Sequence, residues 1–262
     1  MFATTRSHSL GDVLRRTAAR LPNKTAIVCG EVQWNYAQFN QLCNRLANGL
    51  ADIGVQAGER VAILSRNSHA FAAMRFALAR LGAVLVPINF MLNADECAYI
   101  LRHAGARLLC VGPDMVELGK AASQLDTAVE RMIWLPGEDP ASPPVDLLGF
   151  EALLSDDDSE PDAQLESSAL LQIIYTSGTE SLPKGAMLTH EAVLWEYVSC
   201  VVEGEIAEND LMVHALPLYH CAQLDVFLGP GVYVGATNVI TGKPTPDNIM
   251  ALLAKHGANS FF

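Results

Sequence analysis

The chain has 262 residues, half of them hydrophobic, and a formal net charge of −12. That length carries a real core, in one large domain or two small ones. The acidic balance excludes a nucleic-acid-binding protein, because the phosphate backbone demands a positive face. Six cysteines (Cys29, Cys43, Cys97, Cys110, Cys200, Cys221) show no C-x-x-C spacing and sit mostly in apolar runs. They read as buried thiols of a cytosolic protein, neither a disulfide framework nor a zinc site. The first residues lack the apolar core of a signal peptide. The longest apolar run, Val226 to Ile240, is broken by Gly229, Pro230, Gly231 and Gly235 and is too short to span a bilayer. A soluble, cytoplasmic protein without a transmembrane segment is the expectation.

Strand and helix patterns alternate along the chain. Ser9-Leu10-Gly11-Asp12 opens a helix carrying Val13, Leu14, Ala18 and Leu21, and Lys24–Cys29 reads as a strand. Asn35 can cap a helix whose apolar residues Phe39, Leu42, Leu46 and Leu50 recur at helical spacing, with Gly54 ending it. A strand over Arg60–Leu64 follows, then a helix over Ala70–Leu81 stopped at Gly82, and a strand over Ala83–Pro87. The same rhythm gives a helix near Asn93–His103, a strand at Arg107–Val111, a helix near Pro113–Leu125 and a strand around Met132–Leu135. Residues 136–167, rich in Pro, Gly, Asp and Ser, read as a surface excursion; five acids within Ser155–Asp162 suit a solvated linker better than a metal site. Beyond them lie a strand running into a polar loop, a helix from Glu191 to about Glu203, and a strand at Leu211–Leu216. A Gly/Pro-interrupted helix, a strand at Thr237–Ile240, a helix over Pro246–His256 and a buried strand at the end complete the chain. This order predicts an α/β fold of layered sheets with helices on both faces, divided at 1–167 and 168–262.

The chemistry concentrates at Ile173-Ile174-Tyr175-Thr176-Ser177-Gly178-Thr179-Glu180-Ser181-Leu182-Pro183-Lys184-Gly185. A buried strand enters a loop of hydroxyls and glycine with one lysine near its end, which suits a polyphosphate. Gly178 lets the backbone approach an anion, amides and the hydroxyls of Thr176, Ser177 and Thr179 can donate, and Lys184 adds a mobile charge. A Walker-type loop needs Gly-Lys-Ser/Thr opening a helix, whereas Pro183 precedes Lys184 and Gly185 follows it, so that reading is discarded. A second cluster, Leu216-Pro217-Leu218-Tyr219-His220, lies about thirty residues downstream. On its own it reads as a packed strand end with His220 as its polar terminus. Phe227, Leu228, Val232 and Tyr233 could line an apolar tunnel, though any buried helix looks the same. His190 and His214 read as structural, beside apolar neighbours with no clear partner.

The order Tyr-Thr-Ser-Gly-Thr-x-x-x-Pro-Lys-Gly resembles the signature loop of the adenylate-forming superfamily, which includes acyl-CoA synthetases, luciferases and peptide-synthetase adenylation domains. Further stretches match in order and spacing, among them Trp34–Phe39, Asn44–Ala47, Gly54–Leu64, Asn67-Ser68, Gly82–Asn89 and Glu96-x-x-x-Ile100-Leu101. The resemblance implies an acyl-CoA synthetase that activates a carboxylic acid, a fatty acid first among candidates, to acyl-AMP and then acyl-CoA, using ATP, Mg2+ and coenzyme A. It implies phosphate contacts from Thr176, Ser177, Gly178, Thr179, Glu180, Ser181 and Lys184, a Mg2+ contact from Thr176, and an acyl or adenylate pocket at Tyr219 and His220. Luciferase-like and aryl-acid chemistry stay open within the class.

Two features depart from that pattern. Glu180-Ser181 stands where the commonest family loop has threonine and glycine. A carboxylate about 4 Å from a phosphate is repelled by roughly 4 kcal/mol at an effective dielectric near 20, unless it turns away or meets Mg2+. Family members also continue for about as much chain again, with the adenine motif, the ribose aspartate and the catalytic lysine of a mobile domain. The 262 residues are therefore expected to be an N-terminal portion, inactive alone and completed by a C-terminal half in cis or trans, with a homodimer possible. The rival expectation is a non-catalytic or split homologue that binds nucleotide or acyl ligand and needs a partner chain.

Overall fold

The computed structural model describes residues 9–161, 163, 165–176 and 182–262. The elements in chain order are α1 (Leu10–Arg20), β1 (Thr25–Cys29), β2 (Val32–Asn35), α2 (Tyr36–Asp52), β3 (Arg60–Leu64), α3 (His69–Leu81), β4 (Val84–Pro87) and α4 (Ala94–Ala104). Next come β5 (Leu108–Val111), α5 (Val116–Ser123), β6 (Arg131–Trp134), β7 (Leu148–Gly149), β8 (Leu170–Thr176), β9 (Lys184–Thr189) and α6 (His190–Glu203). The chain continues with β10 (Leu211–His214), a π-helical segment (Ala222–Leu228), α7 (Gly229–Val234), β11 (Thr237–Ile240), α8 (Pro246–His256) and β12 (Ser260–Phe261).

Helix boundaries follow local chemistry. Asn35 and Asn93 each close a capping box, with Gln38 and Glu96 respectively returning the hydrogen bond. Ser68, Thr189 and Thr245 cap α3, α6 and α8 through their hydroxyls. Gly82 and Gly105 stop α3 and α4 in the left-handed conformation.

The strands divide into two sheets. The larger has the order β7-β6-β5-β3-β4-β8-β9, parallel throughout except for β9, which runs antiparallel to β8. The smaller has the order β12-β10-β11-β1-β2, parallel except for β2. Strands buried on both faces read as continuous apolar runs, as β3 and β4 do. One face of the larger sheet (Val61, Ile63, Leu85) shares a core with α1, α2, α3 and β1, so these helices lie between the two sheets. The other face (Ala62, Leu64, Val84, Val86) packs on α4 and α5. Leu252 and Leu253 of α8 cover Val28, Val213 and Val239 on the outer face of the smaller sheet. The expected α/β class of layered sheets with helices on both faces is what forms.

Several local expectations change. The excursion at 136–167 contributes β7 to the sheet edge and buries Phe150 and Leu153. Its acidic stretch is not a free linker: Asn44, Arg45 and Asn48 of α2 donate to the carbonyls of Asp158, Ser155 and Asp157. The terminal strand forms as β12 at a sheet edge, with Phe261 and Phe262 exposed where burial was expected, and Phe262 stacks on Phe227. β2 and β9 are additional strands, each a short antiparallel return whose pattern is too brief to stand out. No cysteine is in a disulfide among the described residues, and burial pushes the Cys29, Cys43 and Cys97 thiols up to about 12. No described helix is long and apolar enough to cross a membrane.

Candidate active site

Ligands of open α/β sheets bind outside the carboxyl ends of the parallel strands, where the strand order reverses direction. In the larger sheet the chain moves from β3 to β4 on one side and then to β5 on the other. β8 joins beside β4 and delivers Thr176 to this edge. Lys184 does not sit in a loop, as expected from sequence; it opens β9 directly opposite Thr176 in the β8–β9 register. Both side chains are exposed, so a hydroxyl and an ammonium stand side by side at the mouth of the hairpin. Ser177, Gly178, Thr179, Glu180 and Ser181, the remaining candidate phosphate contacts, lie outside the described residues.

The stems of this hairpin are closely packed. Gly185 pairs with Tyr175, and a Cβ on it would stand 2.7 Å from Ile173 Cγ2 and 3.1 Å from Tyr175 Cζ. The glycine after Lys184 is therefore a packing requirement as well as part of a motif. Tyr175 Oη lies 2.7 Å from His103 Nδ1, and Tyr99 Oη donates to the Pro183 carbonyl at 3.2 Å.

The second cluster approaches from the smaller sheet. Asn67, just past β3, donates to the Leu216 carbonyl at 2.7 Å and accepts from the Leu218 amide at 2.7 Å, which fixes the turn after β10. Tyr219 packs edge-on against Phe90, 5.2 Å between centroids, and Arg66 stacks over the other partner, 4.8 Å from the Phe90 ring centre. Since Phe90 follows β4, Tyr219 comes to the same sheet edge that carries Thr176. Burial raises the Tyr219 phenol, so it stays protonated near neutral pH. His220 is exposed, and its Nδ1 accepts from the Ala222 amide at 3.2 Å, leaving Nε2 as the nitrogen with a proton to offer.

A buried ion pair joins the two regions, and sequence reading missed it. Arg75 of α3 donates to Asp225 Oδ1 at 2.8 Å, and Gln172 of β8 donates to Asp225 Oδ2 at 2.6 Å. Arg75 and Asp225 are 1% and 0% exposed. Burial raises the Asp225 carboxyl while the guanidinium opposes that shift. The visible signal was Asp225, the single charge in its apolar helical run, and Arg75, one of two arginines in the otherwise apolar α3. His214 is also better connected than expected: Gln223 Nε2 donates to its Nδ1 at 2.6 Å, and its Nε2 faces Asn238 Oδ1 at 2.9 Å. His190 Nδ1 accepts from the Leu10 amide at 3.0 Å. Both are structural, but each has a partner.

The residues proposed to line an acyl tunnel are not gathered on one wall. Leu228 and Val232 belong to the main core, Phe227 to a small cluster with Ile206 and Met212, and Tyr233 to a groove between α1, α6 and α7. That groove, about 750 Å³, touches none of the hairpin residues. A cavity of about 540 Å³ opens between the ends of β3, β5 and β11, with Arg66, Asn67 and Lys243 on its wall. Among the described residues, no group of three or more His, Cys, Asp or Glu is placed to hold a metal.

The family model described as AMP-binding enzyme matches residues 14–262. Over 257 residues the chain is 31% identical to a feruloyl-CoA synthase from Amycolatopsis sp, covering 98% of this chain and 49% of that one. It is 33% identical over 219 residues to the long-chain-fatty-acid–CoA ligase FadD13 of Mycobacterium tuberculosis, covering 82% and 42%. The inhibitor-bound N-terminal domain of FACL13 from Mycobacterium tuberculosis superposes with a TM-score of 0.85 at 30% identity, over 95% of this chain and 61% of that chain. The chain thus spans about half the length of the curated relatives it matches. With the family model matching nearly all of its length, the chain belongs to the AMP-binding enzyme family.

Proposed function

We propose that the whole protein is an AMP-forming acid–thiol ligase, which activates a carboxylic acid with ATP and passes the acyl group to coenzyme A. The observation that carries this reading is the exposed Thr176–Lys184 pair at the carboxyl edge of the larger sheet. In the proposed reaction the substrate carboxylate attacks the α-phosphorus of ATP and pyrophosphate leaves. Lys184 neutralises phosphate charge, while Thr176 and the motif residues Ser177, Gly178, Thr179, Glu180 and Ser181 are the proposed phosphate contacts. Such a loop contributes positioning and charge stabilisation, with no covalent step of its own.

The residues present fit Mg2+ only in part. The Thr176 hydroxyl is exposed beside the proposed phosphates and would be one oxygen ligand; Mg2+ commonly takes one or two protein ligands and completes its shell with phosphate and water. When bound it would supply charge neutralisation on the triphosphate. Tyr219 and His220 are proposed to orient the acid, through a phenol and an imidazole that add no fixed charge. The acid is proposed to be a fatty acid, with an aryl acid as the alternative; relatives named for ferulate and for long-chain fatty acids support that range.

The test is acid-dependent exchange of labelled pyrophosphate into ATP by the full-length polypeptide, across straight-chain fatty acids and hydroxycinnamates. Exchange with one class and its reduction by about 100-fold in Lys184→Ala supports the reading, the scale expected for losing one transition-state charge contact. Tight binding of an acyl-adenylate analogue with no exchange would replace it with the non-catalytic homologue.

A further inference from the structure

Tyr99 and His103 lie one turn apart on α4, with rings stacked 5.5 Å between centroids. Their polar atoms diverge onto the two strands of one hairpin. Tyr99 Oη holds the carbonyl of Pro183, which belongs to the peptide unit that places Lys184. His103 Nδ1 meets Tyr175 Oη, one residue before Thr176, and the two rings are also edge to face at 5.7 Å. Burial pushes the Tyr175 phenol up to about 12, so its hydroxyl keeps its proton and can donate to His103 Nδ1. Gly185 completes the arrangement by admitting the Tyr175 ring against β9. One helix face therefore holds the Pro183 carbonyl on one stem and the Tyr175 side chain on the other, on either side of the Thr176–Lys184 pair.

We propose that Tyr99 and His103 are positioning residues that clamp the two stems of the phosphate loop and set the spacing between Thr176 and Lys184 for a bound polyphosphate. The assignment rests on the phosphate-binding reading above. Its signature is selective: ligands that use the β- and γ-phosphates depend on the clamp, and a ligand with only the α-phosphate depends on it little. A purely structural role for α4 would shift melting temperature and both ligands together.

The experiment is calorimetric titration of the full-length polypeptide with MgATP and, separately, with AMP, alongside thermal melting. Tyr99→Phe and His103→Leu each remove one hydrogen bond, worth roughly a five- to tenfold change in affinity. MgATP affinity should fall by about that factor in each, AMP affinity should change less than about twofold, and the melting temperature should hold. His103→Gln, which retains an acceptor for Tyr175, should restore most of the MgATP affinity. Equal MgATP affinity in the wild type and both variants overturns the clamp, as does a parallel loss of MgATP, AMP and melting temperature. A wild type that binds no MgATP overturns the phosphate-loop reading instead, and the clamp with it.

Discussion

Gly185 shows how a single residue serves both fold and site. With only 2.7 Å available to a Cβ before Ile173, alanine must push β9 away or rotate Tyr175 off His103. Overpacking of this kind costs about 1–3 kcal/mol. Gly185→Ala should therefore lower the unfolding free energy by that amount, read as a lower urea midpoint, and weaken MgATP binding at the same time, since the displaced ring adjoins Thr176. An unchanged midpoint would mean that the hairpin opens freely at this position. The tautomer of His214 is likewise decided at this scale. Asn238 spends its amide on the carbonyls of Ala26 and Ala236, so its oxygen must accept from His214 Nε2–H.

At the scale of elements, the Asp225 carboxylate ties α3, β8 and the π-helical segment into one unit. π-Helical turns are uncommon and often stand near functional sites; here the segment begins immediately after Cys221, beside His220. Removing one member of a buried ion pair strands the other charge and costs about 3–5 kcal/mol, whereas replacing both by apolar residues of similar volume is often neutral. Asp225→Ala should accordingly lose several kcal/mol in urea denaturation. The joint change Arg75→Met with Asp225→Leu should recover most of it, leaving only Gln172 to satisfy. A joint variant as unstable as Asp225→Ala would show that the pair contributes more than mutual neutralisation. The outer face of α8 belongs to the same scale: none of its residues is fully buried, and Met250 is 65% exposed.

For the whole molecule, three interior histidines set the acid limit. Burial lowers His69, His190 and His214 from the ordinary 6.5 to about 4 each. Their folded-state values lie below the unfolded ones, so the unfolded chain binds more protons between pH 6.5 and 4. Stability is then complete above pH 6.5 and falls as pH drops through that window, with a slope on the order of 3 kcal/mol per pH unit near pH 5.5 if all three contribute. Denaturant titrations at pH 7.5, 6.5 and 5.5 should show a loss roughly three times larger over the lower interval than over the upper. Equal loss over both intervals would assign the acid sensitivity to other groups.

Local order was legible in the chain because it rests on short-range physics. Apolar spacing, the Asn caps and the stop glycines determined the alternation of helices and strands, and the ordered motif around Thr176 determined the family. What only the tertiary structure decided was pairing. Nothing within β1 announces β11 as its neighbour, and nothing near Lys184 says that it belongs to a strand facing Thr176. The same holds for Arg75 with Asp225 and for Tyr99 and His103 with the loop stems, partners separated by 72 to 150 residues. Such contacts are chosen by the packing of whole layers, and a periodic pattern records only which side of an element is buried, never against what.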